Sequence, residues 1–214
     1  MVIQLKNKEE KYMLLEICVD SLASARAAIR GGADRLELCS ALLAGGLTPY
    51  TALLQQIREE SQIPIRCLMR PRAGDFLYNS EELDQMRRQI LELKRWGADG
   101  FVIGCLQPDG ALDKDAMLPL IEAADGAGLT LHRAIDVSAD LERTYRDAME
   151  LGLDTVLTSG GAASCSLGFE MIQQGKFTTA QIDKNTWTKD MLDLLMDFIE
   201  KDDRAKDYRG LDWS

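Results

Sequence analysis

The chain has 214 residues, of which 46% are hydrophobic and 28% are charged, as is typical of a globular protein with one substantial core. Its formal net charge of -10 argues against nucleic acid or an anionic membrane surface as the main partner. No apolar run approaches the roughly 20 residues of a membrane-spanning helix. Residues 1–12 are polar, so we expect a short tail without an apolar signal region, and a cytoplasmic location.

Apolar strand-like runs alternate along the chain with segments of helical spacing. The strands are expected at 13–19, 35–39, 63–69, 100–105, 129–134 and 155–158. The clearest helices are expected at 21–29, 49–58 and 80–96. Ser21, Ser80 and Asp113 are the predicted N-caps of helices. Glycine-containing turns repeatedly lead from a helix into the next strand, where glycine suits the left-handed cap position.

Six such units predict an α/β fold with a parallel sheet and right-handed crossovers. Their regular repetition favours a TIM-barrel-like (β/α) barrel over a doubly wound sheet, and no Gly-x-Gly-x-x-Gly fingerprint follows the first strand. No convincing seventh or eighth strand follows, so we expect an incomplete barrel. The single domain then divides into a tail at 1–12, β/α units at 13–172 and a divergent helical segment at 173–214.

Alternate residues of a strand share a face, and the wholly apolar sets are expected to pack on the helices. The opposite sets then face the barrel interior. The residues expected there are Glu16, Cys18, Glu37, Cys39, Arg70 and His132. In TIM barrels the catalytic groups lie at the C-terminal ends of the strands, so this set predicts a functional site.

Two interpretations of the charged residues stay open. Glu16, Glu37 and His132 are candidates for acid/base catalysis, and Arg70 and Arg72 for holding an anion. Alternatively the charges form a structural ion network, in which Arg70 is the expected partner of both carboxylates and His132 is a satisfied core residue.

The glycine-rich turn at 158–161 precedes a predicted helix, so its backbone N–H groups are a further candidate anion site. Ser159 and Gly160 are its candidate residues, and Asp136 is a third candidate for binding a substrate.

The five cysteines are an odd number without a close pair, which is not typical of a secreted disulfide framework. Reduced thiols in a core, or soft metal ligands, are expected instead. Cys18 and Cys39 lie on adjacent predicted strands, where they either bind Cu(I) or pack as small hydrophobic side chains. Cys67 and Cys105 are predicted to pack in the core.

Six motifs follow one another along the chain. They are Leu15-Glu16-Ile17-Cys18, Gly32-Ala33-Asp34-Arg35-Leu36-Glu37-Leu38-Cys39, Gly45-Gly46-Leu47-Thr48-Pro49, Met69-Arg70-Pro71-Arg72-Ala73-Gly74-Asp75-Phe76, Leu131-His132-Arg133-Ala134-Ile135-Asp136 and Leu157-Thr158-Ser159-Gly160-Gly161. With these motifs in this order, the sequence resembles the CutC copper homeostasis family over roughly residues 13–172. The resemblance implies a TIM-barrel-like fold, a cytoplasmic protein and a role in copper handling, with Cys18 and Cys39 as Cu(I) ligands. It implies no particular reaction.

The C-terminal segment departs from the family, which continues with two more strands. Residues 188–201 predict one amphipathic helix instead. Because a six-stranded remnant would expose two sheet edges, we expect this helix to cover the barrel, or a second subunit to close it in a homo-dimer.

Two functions therefore stay open from the sequence. One is a cytoplasmic copper homeostasis protein that binds Cu(I). The other is a barrel enzyme that acts on a small anionic phosphate or carboxylate, which the cationic groups of the predicted site favour because an arginine repels a copper cation.

Overall fold

The structure is a computed structural model that describes residues 14–163 and 167–168. The predicted tail at 1–12 and the predicted helical segment at 173–214 lie outside the described residues. The predicted dimer concerns a second subunit and stays a prediction. In the described part of the chain, no helix is both long and apolar enough to cross a membrane.

Six parallel strands form one sheet in the order of the sequence, so the described chain is a half-barrel. The strands are β1 (Glu16–Val19), β2 (Arg35–Leu38), β3 (Ile65–Leu68), β4 (Gly100–Ile103), β5 (Gly128–Leu131) and β6 (Thr155–Val156). This confirms the predicted α/β, TIM-barrel-like class and each of the six strand positions. The strands are shorter than predicted, because the alternating pattern runs on into the loops at their ends.

In the described residues, five α-helices alternate with the strands and cover one face of the sheet. They are α1 (Leu22–Arg30), α2 (Thr51–Glu60), α3 (Ser80–Arg95), α4 (Lys114–Ala124) and α5 (Leu141–Glu150), and two 3₁₀ turns lie at Leu42–Ala44 and Arg133–Val137. Ser21 and Asp113 cap their helices as predicted, by accepting backbone N–H groups of the first turn. The cap of α3 is Asn79 and not Ser80, because the Asn79 side chain accepts the N–H groups of Glu81 and Glu82.

One set of apolar strand residues points toward the helices, as strand alternation predicts. Leu36, Cys67, Phe101 and Leu129 from four strands belong to one buried cluster with the apolar faces of α2, α3 and α4. Cys105 also belongs to this cluster, so the predicted core packing of Cys67 and Cys105 is confirmed. Close packing here fixes the sheet, and the sheet in turn fixes the directions of the residues on its other face.

The inward residues form rows across the sheet, because neighbouring parallel strands are in register. One row contains Cys18, Glu37, Arg66, Gly100 and Gly128. The next row toward the strand C-termini contains Leu68, Val102, Thr130 and Thr155. Cys39, Leu68 and Val102 form a small buried apolar cluster of their own. Two residues further along their strands lie Arg70, Gly104 and His132, so the apolar cluster separates a lower group of charges from an upper one.

Candidate functional site

The lower interior contains a buried ion pair between Glu16 and Arg35, whose side chains are 1% and 6% exposed. The predicted partner of Glu16 was Arg70, and that prediction is wrong. Register explains the difference, since Glu16 and Arg35 are direct neighbours on β1 and β2. A carboxylate at this depth is costly unless a cation compensates for its lost hydration, and Arg35 is the cation that does so.

Glu37 lies two residues beyond Arg35 on β2 and is 5% exposed. Burial, and then the negative charge of Glu16, raise the pKa of Glu37 to about 7. Its Oε1 atom accepts a hydrogen bond from the Cys18 thiol at 3.3 Å, whereas its Oε2 atom has no hydrogen-bond partner among the described residues. The structure therefore places a carboxyl group that gains or loses a proton near neutral pH inside the lower barrel.

The cysteines predicted as copper ligands both face the barrel interior. Cys18 donates to Glu37, and the Cys39 thiol donates to the Val19 carbonyl at 3.6 Å. Burial, followed by the charge of Glu37, raises the pKa of the Cys18 thiol well above its usual value and that of Cys39 to about 12. Both thiols are therefore protonated in the metal-free protein. The described residues hold no group of three or more His, Cys, Asp and Glu side chains with the spacing of a metal site.

The upper interior is organised around Arg70, which is 9% exposed. Its guanidinium donates to three backbone carbonyls, those of Ala44 at 3.3 Å, Gly46 at 3.1 Å and Gly74 at 2.8 Å. Its Nε atom is buried without a partner, and no carboxylate of the described residues forms an ion pair with it. The predicted contact between Arg70 and Glu37 is absent because the row of Cys39, Leu68 and Val102 lies between them.

His132 lies beside Arg70 and is 4% exposed. The His132 and Phe76 rings are 4.7 Å apart between centroids, and the Arg70 guanidinium lies over the same Phe76 ring at 5.2 Å. Burial, and then the charge of Arg70, lower the pKa of His132 to about 3. A ring with so low a pKa is neutral at physiological pH and is a weak base, so the shift does not favour the acid/base role of His132, which stays a prediction.

The tautomer of His132 follows from its hydrogen bonds. Nδ1 accepts the backbone N–H of Ala134 at 3.1 Å, so the hydrogen of the neutral ring is on Nε2. That Nε2 atom is buried and has no partner among the described residues. Gly104 makes room for the ring, because a Cβ atom at that position would lie 2.6 Å from His132 Cε1.

Arg72 lies outside the barrel interior, contrary to its predicted role in holding an anion. It forms ion pairs with Asp75 at 2.9 Å and Glu82 at 2.6 Å, and its guanidinium lies over the Tyr78 ring. The side chain is 38% exposed. Two carboxylates already compensate the positive charge of its guanidinium, so Arg72 holds the loop after β3 to the start of α3.

The predicted anion site at the glycine-rich turn is filled by the protein's own Asp136. Its carboxylate accepts the backbone N–H groups of Ser159 and Gly161 at 3.0 Å and the Thr158 hydroxyl at 2.6 Å. Arg133 donates to the same carboxylate at 2.8 Å. Two of the predicted substrate-binding residues, Asp136 and Ser159, do lie in contact, but they hydrogen-bond to each other. The donors that were predicted to hold a substrate instead fix the turn after β6.

Sequence reasoning missed three residues that define the interior, namely Arg35, Phe76 and Gly104. Arg35 could have been found, because alternation places it on the same face as Glu37. Gly104 lies within the predicted strand at 100–105, but a glycine has no side chain that would mark it as a site residue. Phe76 lies in a loop, where periodicity gives no signal.

Known proteins resemble the chain in sequence and in fold. The CutC family model matches residues 13–182. A relative from Xanthomonas campestris pv. campestris, called family protein CutC, is 51% identical over 160 residues, which cover 75% of this chain and 67% of that protein. A crystal structure from Streptococcus agalactiae, described as “Putative Copper Homeostasis Protein CutC”, matches with a TM-score of 0.70 and 28% identity, over 75% of this chain and 80% of that one. A phosphoenolpyruvate phosphomutase from Streptomyces platensis matches with a TM-score of 0.54 and 14% identity, over 79% of this chain and 67% of that one, and this likeness concerns the fold alone.

Proposed function

Because the chain belongs to the CutC family, we propose that it acts in copper homeostasis and binds Cu(I) through Cys18 and Cys39. The supporting observation is that the two thiols face the same interior from adjacent strands. Cys18 is level with Glu37 in the β1–β2 register, and Cys39 follows two residues later. Thiolates are the soft ligands that Cu(I) prefers, and two of them from neighbouring strands are chemically suited to it.

A cytoplasmic location is part of this proposal, because thiols stay reduced in that compartment. The four cysteines among the described residues are free, which supports it. The chain covers about two thirds of the length of the curated relatives that it matches, so the activity proposed here is that of the described half-barrel.

Substitution of either cysteine should weaken Cu(I) binding. Since loss of an outer-shell partner alone costs 10–100-fold in metal affinity, we expect Cys18→Ser and Cys39→Ser each to lower the affinity by more than about 100-fold. The measurement is an anaerobic Cu(I) titration against a competing chelator. Cys67→Ser is the matched control, since its thiol is as buried as that of Cys39 but belongs to the core cluster against the helices. Equal affinity in all three variants would remove the proposal.

A barrel enzyme that acts on a small anionic phosphate or carboxylate is the second candidate function. The buried charge of Arg70 favours it, since carbonyl groups alone bind this guanidinium in the described residues. A buried cation without a carboxylate partner is costly, and an anionic ligand would offset that cost.

A thermal-shift screen with inorganic phosphate, acetate and oxalate tests this second function. At concentrations well above Kd we expect at least one probe to raise the Tm of the wild type by about 5 °C. The Tm of Arg70→Met should be the same with and without that probe. The second function is abandoned if no probe stabilises the wild type, or if Arg70→Met responds as the wild type does.

A further inference from the structure

Arg70 and His132 offer two buried hydrogen-bond donors that have no partner among the described residues. The atoms are Arg70 Nε and His132 Nε2, and both side chains are at least nine-tenths buried. Buried polar atoms are almost always hydrogen-bonded in folded proteins, so two unpartnered donors within one small region require an explanation. Both side chains contact the Phe76 ring, which places them on the same small part of the upper interior.

We infer that Arg70 Nε and His132 Nε2 together bind one oxygen-bearing anion of a small ligand, with His132 as a fixed neutral donor. This inference deepens the second candidate function and rests on it. It names the atoms that hold the ligand, and it changes the role of His132 from acid/base catalyst to positioning residue for the anion. The ligand class is a small carboxylate or phosphate, whose oxygen atoms accept hydrogen bonds.

The backbone dictates that His132 is a donor. The N–H of Ala134 points at Nδ1, so a hydrogen on Nδ1 would bring two donors face to face. The other ring nitrogen must then carry the hydrogen in the neutral ring. The same argument disfavours a metal ion at Nε2, because coordination needs a lone pair on that atom. Copper and the anion would therefore occupy different parts of the interior.

The Arg70 guanidinium is preorganised for binding the anion. The three carbonyl contacts of its terminal nitrogens fix the guanidinium plane, and Nε is left as the donor that no described residue pairs with. A donor that is already oriented loses little conformational entropy on binding. Phe76 lies against both residues, and both are buried, so an electrostatic contact made there is stronger than one in water. Because both groups are buried, the ligand must be small.

The protonation state of His132 supports this role. Arg70 is the charged group that faces the ring, and Phe76 is its apolar neighbour. With burial and Arg70 lowering the pKa of His132 to about 3, the ring keeps one hydrogen over the whole neutral range. Binding should then follow the ionisation of the ligand and not that of the histidine.

The test measures binding of inorganic phosphate, acetate and oxalate by titration calorimetry. For the probe that stabilises the wild type, His132→Leu should weaken binding by at least about tenfold, the loss expected for one hydrogen bond to a charged group. His132→Gln, which keeps a donor at the same reach, should stay within about threefold of the wild type. Arg72→Met is the matched control, because Arg72 is neutralised outside the interior and its loss should leave affinity unchanged.

Nuclear magnetic resonance of the imidazole nitrogens gives a second readout that does not need a variant to fold. The chain contains one histidine, so its ring signals are unambiguous. We expect the tautomer with hydrogen on Nε2, without titration between about pH 5 and about pH 8, and a shift of the Nε2–H signal on ligand binding. If a probe binds in an Arg70-dependent way but His132→Leu binds it as the wild type does, the inference fails while the second function survives. A ring that titrates near its usual value, or no binding by any probe, also overturns the inference.

Discussion

Arg35→Met is expected to lower the free energy of unfolding by about 3–5 kcal/mol, the range for removing one partner of a buried ion pair. The methionine keeps much of the volume of the side chain, so the loss reports the charge and not a cavity. Without Arg35, no cation of the described residues forms an ion pair with the buried carboxylate of Glu16, and Glu37 lies close enough to add repulsion. Urea unfolding at neutral pH measures the change.

Arg26→Met is the matched control for this experiment. Arg26 forms an ion pair with Glu60 in which the side chains are 50% and 41% exposed. Exposed pairs contribute little to stability, because water already solvates both charges. If Arg35→Met cost no more than Arg26→Met, the lower interior would be reached by water, and the buried ion network would not be what stabilises it.

Asp136→Ala is expected to destabilise the turn after β6 by about 2–4 kcal/mol, because several donors lose a charged acceptor at once. The free energy of local opening of the turn should fall more than the free energy of global unfolding, since the turn is short and lies after the last described strand. Amide hydrogen exchange at Ser159 and Gly161 measures it, and both amides should exchange at least about tenfold faster in the variant. Unchanged exchange at both positions would contradict the assigned contacts.

The pH dependence of this effect has a defined direction. Burial acts to raise the pKa of Asp136, but hydrogen bonds from Arg133, Thr158, Gly161 and Ser159 lower it below its usual value. The carboxylate therefore stabilises the turn at every pH above the usual value of about 3.9. That stabilisation is lost as pH falls through the lower folded pKa, so the difference between wild type and Asp136→Ala should shrink only in strong acid.

The direction of each inward residue on the first two strands could be predicted from the sequence. Glu16, Cys18, Glu37 and Cys39 alternate with apolar residues, and a strand has a period of two, so one face of each strand has to be polar. The caps at Ser21 and Asp113 were equally local, since each depends on a side chain and the next three residues. Ser80 was missed by one position because its neighbour Asn79 is an equally good cap.

The partners of these inward residues could not be predicted in the same way. Alternation predicts which face of a strand a residue lies on, but not which residue of the neighbouring strand lies beside it. Only the register between strands shows that Arg35 contacts Glu16. The same holds for the small cluster that separates Glu37 from Arg70, which consists of Cys39, Leu68 and Val102. The loops raise the same difficulty. Nothing in the spacing of Asp136 and Ser159 along the chain shows that the Asp136 carboxylate accepts the backbone and hydroxyl hydrogen bonds of Ser159.

The sequence by itself determined the strand and helix order, the parallel half-barrel, the inward face of the first two strands and the family. These follow from short-range periodicity and local motifs, which act over a few residues. Only the tertiary structure decided which charges meet, that Asp136 occupies the turn after β6, and that His132 is a neutral donor. Each of these depends on residues brought together from distant parts of the chain, and on the loss of water around them, which raises or lowers a pKa only once the residue is buried.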